Sequence, residues 1–308
     1  TLWSGEKTAA GEHEGIWDGK DDNGYLSESK EYSVKVMSNN VSYNFDTIIG
    51  NNSEWESDDT KFHGGSFIGD MVYVDGKMYY TQPYQEGIKT GVFFRTSNPH
   101  ISCNTERFGV GNQTSRRVAS DGKLLYYGNT EPGGVRTFVY AYDAKTHEQV
   151  TFEYGRPAAN HWGHTNAYPS AINYLEHESC ANIGGLDAQN NGDFLFVSYI
   201  YTGKVYVLNT TTGQNLTEIE LERPQALCCD YGNGIYVGYK NSEGTMSVSY
   251  YTVDDSGTLT LIDTFDEVFD DIRDLAVSPD GKTLVVADGG SQNKIKAFDV
   301  ATKQRTWT

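Results

Sequence analysis

Five copies of one strand–turn–strand layout, 33 glycines and 22 tyrosines in 308 residues predict an all-β chain built as a β-propeller of four-stranded blades. Glycine serves turns and tyrosine suits half-buried strands. The copies begin at Met71, Val118, Leu186, Leu227 and Leu275, spaced 47, 68, 41 and 48 residues apart. Within them, Asp75-Gly76-Lys77, Asp121-Gly122-Lys123 and Asp280-Gly281-Lys282 separate apolar runs. Asp-Gly between such runs is the strongest short-range hairpin signal, because the turn needs a positive φ that costs glycine nothing.

Third strands are predicted over 137–142, 204–208, 247–253 and 294–300, each followed by a polar turn and a fourth strand such as 259–262. Radial packing buries both faces of a blade, which accounts for unbroken apolar runs like Phe194-Leu195-Phe196-Val197. Five repeats are recognisable; a sixth or later one is expected either in degenerate form at 51–65 or past residue 308. The chain opens on Thr1-Leu2-Trp3 without an initiator Met, basic region or apolar leader, and it closes on Arg305-Thr306-Trp307-Thr308, which reads as a strand. A piece of a longer multidomain chain is therefore expected.

Leu275-Ala276-Val277-Ser278-Pro279-Asp280-Gly281-Lys282, then Val285-Val286-Ala287-Asp288 and Ile295-Lys296-Ala297-Phe298-Asp299-Val300-Ala301-Thr302, resembles the YVTN/NHL class of propeller repeat. Tyr251–Thr260 is similar to a turn of its lactonase-like members. The resemblance covers about 66–308 and implies a fold much more than an activity. In 1–50, Ile16-Trp17-Asp18-Gly19-Lys20-Asp21-Asp22-Asn23-Gly24 followed by Tyr32-Ser33-Val34-Lys35-Val36 resembles the last hairpin of the Ig-like module of flagellar hook-capping proteins. That implies a partial Ig-like β segment at 1–50, a linker or degenerate blade at 51–65, and a secreted or surface-anchored bacterial protein.

Charge narrows the partners. With 24 Lys+Arg against 42 Asp+Glu, the formal charge of −18 repels nucleic acid and anionic membranes. No apolar run reaches the ~18 residues of a membrane-spanning helix. The adjacent Cys228 and Cys229 fall in a strand, where alternation sends them to opposite faces, and no zinc or redox Cys-x-x-C spacing is present.

The 68-residue spacing contains an insertion, 156–182, expected to link the outer strand of one blade to the inner strand of the next across the ligand-binding face. It carries His161, Trp162, His164, Tyr168, Tyr174, Glu176 and His177, with a helix expected within 169–177. His161, Trp162, His164, Tyr168 and His177 are the candidate binding residues, their aromatic and polar mixture suiting a glycan or protein partner. His161 and His164, with His177 or Glu176, are candidate ligands for a divalent metal such as Zn, although the spacing is not the helical one of zincins. No cofactor is otherwise expected. Asp266, Glu267, Asp270, Asp271 and Asp274 offer hard oxygen ligands for Ca, with a solvated acidic loop as the plainer account. Arg116 or Arg117 points to the central channel or pairs with surplus carboxylates.

The sequence therefore points to an extracellular or cell-surface binding module. A secreted propeller enzyme (lactonase, glycan hydrolase or polysaccharide lyase) using His161, His164 or His177 as base is the alternative. A purely structural segment of a long surface protein is the second. No nucleophile elbow, P-loop or dinucleotide fingerprint supplies a catalytic residue.

Overall fold

The computed structural model describes residues 9, 11–20, 26, 31–34, 36, 68–82, 89–97, 106–111, 115–130, 137–158, 168–172, 182–190, 192–291 and 293–308. Two compact units divide the chain, Thr1–Phe45 and Asp46–Thr308. In the first, Gly19 takes φ 81° in a turn that bridges Lys20 to Leu26. Trp17 donates its indole N–H to the Lys20 carbonyl at 2.6 Å and packs edge-on to Tyr32 at 4.5 Å. Tyr32, Ser33, Val34 and Val36 join no strand among the described residues.

The second unit is a five-bladed β-propeller of antiparallel sheets, with no α-helix among the described residues. Blade 1 comprises β1 (Met71–Val74), β2 (Lys77–Tyr80), β3 (Lys89–Arg95) and β4 (Phe108–Gly111). Blade 2 has β5 (Ser115–Ser120), β6 (Leu124–Thr130) and β7 (Thr137–Asp143), and a hairpin of β8 (Arg156–Ala158) with β9 (Tyr168–Ala171) follows it. Blade 3 holds β10 (Ile183–Ala188), β11 (Phe194–Tyr199), β12 (Lys204–Asn209) and β13 (Asn215–Glu220). Blade 4 holds β14 (Ala226–Cys229), β15 (Gly234–Lys240), β16 (Met246–Val253) and β17 (Leu259–Thr264). Blade 5 holds β18 (Ile272–Val277), β19 (Thr283–Asp288), β20 (Lys294–Asp299) and β21 (Arg305–Trp307).

Strand alternation assigns each side chain to one of two inter-blade layers. Along β11, Leu195 and Val197 enter the layer shared with blade 2, whereas Phe194 and Phe196 enter the layer shared with blade 4. Along β15, Ile235 and Val237 face blade 3 and Tyr236 faces blade 5. Burying a residue like Phe196 contributes roughly 1.5–3 kcal/mol. The repeat thus becomes a stack of apolar layers between blades 1 and 2, 2 and 3, 3 and 4, and 4 and 5.

Blade 2 corrects the expected path of the insertion. Its outer position is filled in two pieces: Gln149 bridges Tyr142, and Ile172 bridges Val139 with backbone bonds of 2.7 and 2.9 Å. The excursion between them therefore interrupts an outer strand rather than linking blades. Phe152 and Ile172 wedge against Gly213 in the β12–β13 turn, and the Tyr154 amide donates to the Thr212 carbonyl at 3.0 Å. The segment expected to be helical opens instead as β9, because its Tyr168 ring buries against Phe138 at 4.9 Å and Tyr140 at 4.4 Å. Residues 173–181 lie outside the described residues.

Near the axis the inner strands leave no room for side chains. A Cβ on Gly185 would sit 2.5 Å from the Leu227 nitrogen and 3.0 Å from the Ala226 carbonyl carbon of the next blade. Gly185→Ala is expected to destabilise the propeller by about 1–3 kcal/mol through this overpacking, seen as a lowered thermal midpoint in circular dichroism. An unchanged midpoint would show that β10 and β14 are not in such contact.

Candidate functional site

The inner strands deliver charged side chains to the axis. Asp70, Asp187 and Asp274 each turn one carboxylate oxygen onto the amide of the following residue, at 2.8, 2.9 and 3.0 Å. The second oxygen of Asp70 accepts from the Val118 amide of blade 2 at 3.1 Å, and that of Asp187 from the Cys229 amide of blade 4 at 2.8 Å. Arg117 of β5 reaches blade 5, donating to the Arg273 carbonyl at 3.1 Å and pairing with Asp274 at 3.6 Å. Both sequence readings of this arginine pair therefore meet in one residue, which points to the axis and answers a carboxylate.

Three carboxylates against one guanidinium in a partly dry space leave proton affinity raised. Burial pushes Asp70 up to about 7; Arg117 and the backbone donors oppose this, and Asp274 adds to it. Burial likewise pushes Asp187 up to about 6 against its backbone bonds. Both neighbouring thiols are driven well up by burial, so Cys228 and Cys229 are protonated, free and poorly nucleophilic. As alternation requires, Cys228 lies in the blade 4–5 layer and Cys229 against the blade 3–4 layer.

One end of this axis opens into a cavity of about 360 Å3. Equivalent hairpin turns of four successive blades line it: Tyr73 and Asp75 from blade 1, Ser120 and Gly122 from blade 2, Asn190 from blade 3, Asp230 and Tyr231 from blade 4, with Asp187 and Cys229 beneath. Tyr73 and Tyr231 are each about three-fifths exposed, at 59 % and 60 %. A second cavity, of about 410 Å3, opens on the same side between blades 4 and 5. The turn carboxylates are built in: Asp230 accepts from the Gly232 and Gly234 amides at 2.8 and 2.9 Å and from the Tyr250 hydroxyl at 2.7 Å.

Of the residues expected to bind, His161, Trp162, His164 and His177 lie outside the described residues, as do Tyr174 and Glu176. Tyr168 is fully buried between blades 1 and 2 and lines neither cavity. The acidic run heading blade 5 is largely paired: Asp271 with Arg273 at 2.6 Å, Asp274 with Arg117, and Glu267 with Lys296 at 3.2 Å and Arg305 at 3.1 Å. Among the described residues no three His, Cys, Asp or Glu side chains gather closely enough to hold a metal.

The sequence reading passed over His147. It sits at φ 60° after β7, stacks on Phe108 at 4.1 Å and bonds the Tyr79 hydroxyl at 2.8 Å, sealing blade 1 to blade 2. Burial and the nearby Lys77 push it down to about 4, so the ring is neutral. Only its place in a polar turn marked it, and that signal reads as solvent exposure.

A carboxyl group whose folded pKa lies above its unfolded value contributes stability that is complete below about pH 4 and lost as pH rises through the folded pKa. For Asp70 and Asp187 that window runs from about pH 4 to about pH 7. Denaturant midpoints are therefore expected to fall across it, and Asp70→Asn to flatten the upper part of the fall. An Asp70→Asn profile parallel to the parent's would contradict the axial assignment.

No protein-family model matches the sequence, and no curated protein matches it. Solved structures similar to the chain include a functionally unknown protein from Desulfotomaculum acetoxidans DSM 771, 14 % identical, covering 80 % of this chain and 87 % of that one at a TM-score of 0.49. They also include the β-propeller domain of Cps50 (Swd1) from Myceliophteria thermophila, 10 % identical, covering 79 % and 85 % at a TM-score of 0.49.

Proposed function

We propose that the chain is an interaction module of an extracellular or cell-surface protein, receiving a glycan or protein partner on the side where the blade hairpins meet. The observation that carries this reading is the convergence of four equivalent turns on one open cavity, flanked by two exposed tyrosines. Exposed aromatic rings beside fixed polar groups are what interface anchors consist of, since a tyrosine covers much apolar area at little entropic cost. The turn carboxylates and glycine backbones are held by the fold itself, so a partner meets a surface that needs little ordering. A net charge of −18 directs the module toward neutral or basic partners.

The test uses the fluorescently labelled full chain on glycan and peptide arrays, beside Tyr73→Ser, Tyr231→Ser and the double variant. Both side chains are exposed, so the fold is expected to persist by circular dichroism. The double variant is expected to lose about tenfold or more in binding. Binding that survives the double substitution unchanged would overturn the placement of the site.

A further inference from the structure

The cavity between blades 4 and 5 has a floor and a rim of different chemistry. Tyr236 and Phe265, each 4 % exposed, and the half-buried Tyr250 form an aromatic base, with Tyr236 and Tyr250 ring centres 4.8 Å apart. Gly234 permits this base, because a Cβ there would collide with the Tyr250 ring. Exposed Tyr231 and Ile262 flank the opening, and Gly232 and Gly281 bring bare turn backbone to it. At the rim, Lys303 pairs with Asp263 at 2.5 Å, beside Asp280. The Lys303 ammonium holds Asp263 below the usual carboxylate range, and the Ser278 hydroxyl does the same for Asp280.

We infer that this crevice seats one neutral hexopyranose ring of a glycan. The inference deepens, and rests on, the interaction-module reading. Its volume of about 410 Å3 falls among small-molecule pockets, which span roughly 300–1,000 Å3. A pyranose presents an apolar C–H face that packs on aromatic rings, and hydroxyls that each donate and accept. An ammonium beside a carboxylate offers a donor and an acceptor within one hydroxyl spacing, and charge-assisted bonds are the stronger kind.

The same rim argues against a cationic ligand. Asp263 is already answered by Lys303, Asp280 by the Ser278 hydroxyl at 2.7 Å and the Lys282 amide at 3.1 Å, and Asp230 by Tyr250 and two amides. A guanidinium would have to displace these partners, whereas a hydroxyl bridges them. An anionic sugar would meet the chain's net negative charge.

Methyl glucopyranoside, methyl mannopyranoside and methyl galactopyranoside, titrated separately into the isotope-labelled full chain, test this by amide chemical shifts. At least one is expected to shift the Gly232, Gly281 and Lys282 amides saturably, with a dissociation constant on the order of 1 mM, as suits so small a ligand. Lys303→Ala and Tyr231→Ala are each expected to weaken it about fivefold, and Tyr73→Ser to leave it unchanged. The inference is overturned if none of the three glycosides moves those amides, if ethylguanidinium moves them instead, or if Lys303→Ala has no effect. Array binding lost in Tyr73→Ser, together with a crevice silent to all three sugars, would sink this seat and leave the interaction-module reading standing. A sugar response in the crevice alongside array binding indifferent to the tyrosine variants supports the seat and removes the axial cavity as the site.

Discussion

Everything in the propeller unit depends on how closely its inner strands approach the common axis. At that distance side chains cannot be accommodated between β10 and β14, so Gly184 and Gly185 let backbone meet backbone. Where side chains do enter, they are short carboxylates that bond an amide in their own strand and another in the next blade, as Asp70 does to Val118 and Asp187 to Cys229. These bonds satisfy amides that the pleat leaves pointing inward, and they set one blade's angle against its neighbour. Once that angle is set, alternate residues of β6, β11 and β15 fall into successive apolar layers, and the hairpin turns come together at one end.

The acidity of the chain has a structural origin in the same repeat. At the turns after the third strands, Asp143, Asp254 and Asp299 accept from turn amides, with Asn209 in the equivalent place. At the first hairpins, Asp121 and Asp230 each clamp two turn amides and a tyrosine hydroxyl, from Tyr126 and Tyr250. An aspartate that bonds turn amides is favoured wherever a tight turn recurs. Repetition over the blades accumulates negative charge at the ends of the strands, which is where a partner would meet it. A fold requirement thus becomes a selector of partners.

The legible part of this structure was the part that repeats. Asp-Gly turns and alternating runs located β1, β2, β5, β6 and the strands of blades 3 to 5, because each such pattern carries its own local geometry. The third and fourth strands of blade 1 stayed hidden, since Lys89–Arg95 opens on Lys-Thr-Gly and Phe108–Gly111 has glycine at two of four positions. The divided outer strand of blade 2 was equally hidden, because two short bridges leave no period to detect. The axial cluster escaped for another reason: its members, Asp70, Arg117, Asp187 and Asp274, lie in different repeats and differ in type, so only the ring brings them together. The crevice between blades 4 and 5 is likewise assembled from four turns and strand ends. Its tyrosines read along the chain as ordinary strand residues.

The account's central claim is that carboxylates at the axis lock each blade to the next. Native-state hydrogen exchange at the Val118 and Cys229 amides tests it most directly. Both are expected to exchange only through global unfolding, with Asp187→Ala releasing Cys229 to faster local exchange while Val118 stays protected. Exchange of both amides at the rate of the turn amides in the parent chain would contradict the account.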